Sequence, residues 1–216
     1  MIASAPGTGG PAGTAGRRER KKQRTREALI DAAFTLFAAK GYDATTVEEI
    51  ADAVDVSART FFRYFASKEH VALTVQEEQR TALLAALAAR PAQEPPLTAL
   101  RNAVVAVTRL HECGVPGPDR DRFRLLLKLL GDGGGLLAGS LEHAQRGLRD
   151  IAEIIARRTG ADAASDLRPY VLASTMVAVF QAALIGVKDD AMGYTSLADA
   201  LSDAFAALID EAGRPG

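Results

Sequence analysis

The stretch TTVEEIADAVDVSARTFFRYFASK, Thr45 to Lys68, decides the fold. Thr46 and Glu49 stand three apart as a capping box, so the spacing predicts a helix starting near Val47. Val47, Ile50, Ala51 and Val54 then recur at i, i+3, i+4 and i+7, one apolar stripe of a short helix. That helix stops at Asp55-Val56, and Ser57 is a second strong N-cap. From Ala58 to Tyr64 a second helix can turn Phe61 and Phe65 inward, leaving Arg59, Thr60, Arg63 and Tyr64 outward. Two short helices joined by a tight turn, with polar and basic residues on the outer face of the second, suit a helix–turn–helix that docks in a DNA major groove.

Working outward, a helix from Arg24 to Lys40 ends at Gly41, a link runs from Gly41 to Thr46, and the exit reads Tyr64-Phe65-Ala66-Ser67-Lys68-Glu69. With the two short helices, this pattern resembles the tetracycline-repressor-like (TetR) family, densely over Thr25 to Leu73. Asp55 departs from the pattern, since the family turn usually carries Gly there; Asp tolerates the left-handed backbone better than most residues. The resemblance implies an all-α dimeric bacterial transcription factor with an N-terminal DNA-reading head and a helical ligand-binding and dimerisation body. The DNA-binding set it implies is Arg24, Thr46, Ser57, Ala58, Arg59, Thr60, Arg63, Tyr64 and Lys68.

Composition sets the frame. The chain has 216 residues, 48% hydrophobic and 25% charged, with a formal net charge of −1. That is enough for one sizeable core or two small ones. Residues 17–69 hold eleven Lys and Arg against nine Asp and Glu, leaving the rest slightly acidic. Cys113 is the single cysteine, which excludes an intramolecular disulfide. A redox role for it would need a neighbouring cation. His70, His111 and His143 show no metal-ligand spacing, and no cofactor is expected.

Residues 1–16 are rich in Gly, Ala, Pro, Thr and Ser and read as a disordered tail. Residues 17–26 (RRERKKQRTR) form either a solvated, partly helical lead-in or an arm that contacts phosphates or the minor groove. The head spans 17–67 and the body 68–216. Within the body, one connector helix is expected from Lys68 to about Ala89, capped by Ser67 and closed before Pro91. Further helices are expected near 97–112, 120–130, 136–159, 167–188 and 196–212. Gly131 to Gly135 reads as a loop rather than a phosphate site, because no strand precedes it and no P-loop lysine follows.

The run from Pro169 to Val187 holds no charged residue, near the lower limit for spanning a bilayer, but Pro169, Ser174, Thr175, Gln181 and Gly186 dilute it. A buried core or dimer helix is the expectation, with no membrane partner. Val179 and Phe180 on this helix, and Leu201, Phe205 and Leu208 on the last, are the expected dimer residues of an intersubunit four-helix bundle. Thr175 and Gln181 either orient a ligand in an apolar pocket, or bond within the helix and across the dimer. Arg120, Arg122, Arg124 and Lys128 form either a solvated basic face or a phosphate contact. The RFRLLLKLL stretch (Arg122 to Leu130) and the next helix resemble a TetR subgroup that binds acyl-coenzyme-A-like ligands, which would give Arg124 a ligand role.

No catalytic constellation emerges. His111-Glu112-Cys113 are sequence neighbours on a helix and point apart, so they do not converge on one substrate atom. The reading is therefore a ligand-responsive dimeric regulator, most often a repressor, that binds a pseudo-palindromic operator in the cytoplasm and releases it when a small apolar effector binds. Its rival is a helical ligand-binding or interaction protein whose head no longer reads DNA.

Overall fold

Among the residues that the computed structural model describes (12–114, 118–132 and 134–212), every regular element is a helix. The described chain divides into two compact units, parting between Val71 and Ala72.

The first unit begins with α1 (Ala12–Lys40), followed by α2 (Val47–Asp52), α3 (Ala58–Phe62) and α4 (Lys68–Ala72), whose last residue passes into the second unit. Its core is the stripe expected of α1, with Leu29, Ile30, Ala33, Phe34 and Phe37 buried against Ile50, Ala51, Phe61 and Phe65. The aromatic rings meet edge-on or tilted, Phe34 to Phe37 at 5.8 Å and Phe61 to Phe65 at 5.7 Å between centroids, the arrangements their quadrupoles favour. Gly41 closes α1 at φ 86°, and its amide donates to the Phe37 carbonyl at 3.0 Å.

α1 starts well before Arg24. Residues 12–16, expected in a disordered tail, are its first turn, while 1–11 lie outside the described residues. The strong helix formers of 17–28 (Arg, Lys, Gln, Glu, Ala) and a Glu19–Lys22 pair at 4.0 Å favour that extension.

The second unit holds α5 (Thr74–Ala88), α6 (Pro96–Cys113), α7 (Pro118–Gly131), α8 (Gly135–Thr159), α9 (Arg168–Lys188), a short 3-10 turn (Asp190–Met192) and α10 (Leu197–Ala212). α9 packs chiefly against α8 and α10, α10 also against α6, and α5 against α6 and α8. The single connector helix expected from Lys68 is two, interrupted at Leu73. Leu73 keeps φ −82° and ψ 0°, so the break is local.

Burial corrects part of the dimer expectation. Leu201 and Phe205 are completely buried within one chain, in the core that α10 shares with α6 and α9, so they do not face a partner. Val179 is buried too, while Phe180 and Leu208 are half-buried. The i, i+4 stripe of α10 was read correctly as apolar, but α6 covers it. The open apolar surface belongs to α9, where Val171 (54% exposed) and Ile185 (60% exposed) stand out with Ser174, Ala178, Gln181 and Ala182 between them. α9 is long and apolar enough to cross a membrane by length and composition; its packing against α8 and α10 suits a core helix equally.

Candidate nucleic-acid interface and ligand cavity

The head is held by caps. Thr46 Oγ1 accepts the Glu49 amide at 3.2 Å, and Glu49 Oε2 accepts the Thr46 amide at 2.9 Å, a complete capping box. The same Glu49 carboxylate receives the Lys40 ammonium, tying α2 to the end of α1. The Lys40 hydrogen bond first, and the Thr46 amide second, hold Glu49 below the usual carboxylate range. After α2 the chain turns through Asp55 at φ 55°, the one left-handed non-glycine among the described residues. The Val56 amide donates to the Ala51 carbonyl at 3.0 Å inside this turn.

Ser57 then caps α3. Its Oγ accepts the Thr60 amide at 3.2 Å and lies 3.1 Å from Thr60 Oγ1. With that end fixed, helical spacing sends Phe61 and Phe65 into the core at 0% and 1% exposure. Arg59 and Arg63 are exposed, with Ala58, Thr60 and Tyr64 half-buried beside them. The Arg63 guanidinium stands 5.2 Å from the Tyr64 ring centroid, a cation–π pair that braces the outer face. α3 is shorter than expected, because Arg63 and Tyr64 form a turn after Phe62. Phe62, half-exposed at 55%, is an apolar member of this face not expected from the sequence. Thr46 is exposed, and Arg24 is exposed on α1.

Lys68 has a different task from the groove contact expected of it. Its ammonium donates to the carbonyls of Tyr42 at 2.8 Å, Thr45 at 2.9 Å and Asp43 at 3.2 Å. It also sits 4.5 Å from the Tyr42 ring centroid. An ammonium has three protons to donate, and all three have partners inside the head. Burial, with smaller contributions from Glu69 and Asp43, pushes the Tyr42 phenol up to about 12.

The second unit encloses a cavity of about 110 Å³. Its walls are mostly apolar, with Leu83, Val104, Val107, Phe123, Leu126, Met176 and Phe180 among them. Gln76 and Arg80 of α5 and His143 of α8 supply polar groups at the wall. Arg80 bonds Glu77 through two nitrogens, at 2.9 and 2.6 Å, and its third nitrogen bonds Asp150. His143 Nε2 lies 3.1 Å from Glu77 Oε2. The Arg80 hydrogen bond first, and the His143 contact last, lower the Glu77 pKa.

Arg124, Thr175 and Gln181 do not gather here. Arg124 and Gln181 are exposed, and the Thr175 hydroxyl donates to the Leu172 carbonyl at 2.7 Å in its own helix. Phe180, expected at the dimer, lines the cavity instead. The sequence did carry a signal for the true polar wall: Gln76, Gln79, Arg80 and Leu83 fall at i, i+3, i+4 and i+7, a single face running from polar to apolar.

The His111-Glu112-Cys113 run does no chemistry together. Cys113 is exposed and His111 Nδ1 lies 2.8 Å from the Val107 carbonyl of its own helix. Glu112 instead receives the first amides of α10.

Comparison with known proteins falls on both units. Residues 29–75 match the family model described as bacterial regulatory proteins, tetR family, and residues 94–213 match the MftR C-terminal domain. The chain is 46% identical over 168 residues to the HTH-type transcriptional regulator TcmR of Streptomyces glaucescens, covering 77% of this chain and 73% of that protein. Its fold is similar to SmeT, the repressor of the Stenotrophomonas maltophilia multidrug efflux pump SmeDEF, at TM-score 0.54 and 19% identity, covering 84% and 89% of the two chains. NalD, the secondary repressor of the MexAB-OprM multidrug efflux pump in Pseudomonas aeruginosa, is similar at TM-score 0.55 and 17% identity, over 88% and 96%. At these identities the two structures speak for the fold alone.

Proposed function

The chain belongs to the tetR family of bacterial regulatory proteins, and from that premise we propose that it is a DNA-binding repressor relieved by a small, largely apolar effector. It is a transcriptional regulator and not an enzyme. The observation that carries the proposal is the capped α3, with Phe61 and Phe65 locked inward and Arg59 and Arg63 exposed. That is a rigid reading surface of the kind that docks in a major groove. Arg59, Thr60, Arg63 and Tyr64 would reach bases and phosphates; Ser57 and Thr46 hold the helices that present them. Arg24 and the basic first half of α1 add attraction to the backbone.

A dimer fits a pseudo-palindromic operator, and the outward face of α9 from Val171 to Ile185 is the surface we assign to the second copy. Large exposed apolar side chains along one helix face are the usual mark of such an interface. The cavity is the proposed effector site, and its contact with α5, α6, α7, α8 and α9 would let a bound molecule alter how the body packs. Arg124 points away from an acyl-coenzyme-A role, being exposed and outside the cavity lining. A regulator that meets bacterial DNA works in the cytoplasm.

A gel-shift titration with DNA from upstream of the protein's own coding region, using the wild type and Arg59→Ala, tests this reading. The wild type should shift the DNA in two-fold-symmetric complexes and the variant should not. A wild type that binds no upstream or selected DNA above its non-specific affinity would favour the rival, a body without a working reader.

A further inference from the structure

We infer that the cavity selects a neutral, ring-sized apolar molecule bearing a hydroxyl or N–H donor, which bonds Gln76 Oε1, and that it discriminates against anions. The inference rests on the effector reading above and narrows it to a chemical class.

Gln76 lies on α5 and lines the cavity. Its Nε2 donates to the Ser140 carbonyl of α8 at 3.1 Å. A carbonyl can only accept, so this bond fixes which end of the amide faces α8. The other end, Oε1, is buried and has no hydrogen-bond partner. Nearly all buried polar atoms are satisfied in a folded protein, and an orphan on a cavity wall is where an incoming donor gains most. Water could serve the same atom, but a ligand donor would serve it while its apolar part covers the remaining wall.

The cavity's cation is not available to an anion. Arg80 is the only Lys or Arg in the lining among the described residues, and each of its three nitrogens already donates to Glu77 or Asp150. Two carboxylates against one guanidinium leave this edge net negative while His143 is neutral. A carboxylate or phosphate entering here would leave water and meet like charge. A neutral donor faces neither obstacle. The size follows from the volume: about 110 Å³ is somewhat under the roughly 150 Å³ that holds benzene in an engineered cavity, so one ring is the fitting core after a small adjustment.

Binding of p-cresol, toluene and p-toluate to the full-length protein, by calorimetry and thermal shift, tests the inference. The expected order is p-cresol above toluene by about tenfold, the worth of one buried hydrogen bond, with p-toluate weakest. Gln76→Leu should bring p-cresol down to the level of toluene while leaving toluene unchanged. Tightest binding by p-toluate, equal binding of p-cresol and toluene to the wild type, or no binding by any of the three would overturn the inference, and those readings need no variant that folds. Operator binding of the unliganded protein is measured beside them, so a protein that shifts DNA but shows no donor preference loses this inference alone. One that binds p-cresol but no DNA loses the regulator reading instead.

Discussion

The carboxylate of Glu112, at the end of α6, accepts the backbone amide of Leu197 at 2.6 Å, at the start of α10. Its other oxygen takes the Ser196 hydroxyl at 2.8 Å and the Ala198 amide at 3.3 Å. A side chain 85 residues away along the chain thus satisfies amides that α10 cannot pair internally, and its negative charge meets the positive end of that helix. Replacing Glu112 with Ala should destabilise the second unit by about 1–2 kcal/mol, the range of a lost N-cap. Urea denaturation checks this, and an unchanged midpoint would show that Ser196 caps the helix alone.

Lys68 and Arg59 should separate stability from recognition. Lys68→Met removes three hydrogen bonds to loop carbonyls and should lower the melting temperature of the head, by about 1–3 kcal/mol of stability. Arg59→Ala should leave melting unchanged and weaken specific DNA binding by about 1–3 kcal/mol per half-site. A Lys68→Met protein that melts normally yet fails to bind DNA would restore that residue to the groove.

Tyr42 should titrate late. Its phenol is held up to about 12 in the folded head against 10.0 as the ordinary value. The folded state therefore binds the proton more tightly, so this contribution to stability is present below pH 10 and is lost as pH rises through about 12. Ultraviolet titration of tyrosinate, compared with Tyr42→Phe, should show one late component missing from the variant.

Phe205 and Ile185 should fail in different ways. Phe205→Ala empties a fully buried site and should cost about 3–5 kcal/mol in folding. Ile185→Glu changes an exposed position, so the single chain should keep its stability while sedimentation shows monomers. A stable dimer of Ile185→Glu would move the proposed interface off α9.

The head was legible because each of its signals is local. The Thr46–Glu49 box, the Ser57 cap, the left-handed Asp55 and the Phe61–Phe65 spacing are set within a few residues, and the structure places each where the periodicity points. The body's helices were legible for the same reason. Its contacts were not, since helical spacing says which face is apolar but not what covers it. Leu201, Phe205 and Leu208 make a stripe that fits a partner subunit or α6 equally well, and only the packing decides. Lys68 misled similarly: a lysine beside a recognition helix looks free until the loop carbonyls around it are seen. Gln76 and Arg80 sit on a connector helix, where polar residues ordinarily face water, and only the approach of α8 turns them into a wall.

Gly147 sits on α8 where an added methyl carbon would meet the Arg80 stem at 3.0 Å. The Arg80 side chain crosses α8 at that bare position on its way to Asp150. A single-carbon change there would push the stem by a few tenths of an ångström and reshape the cavity edge without touching either the apolar wall or the DNA-reading face. Selection for a new effector, or the engineering of a sensor for one, thus has a dial that turns in steps of one methyl group, located where retuning the input leaves the output intact.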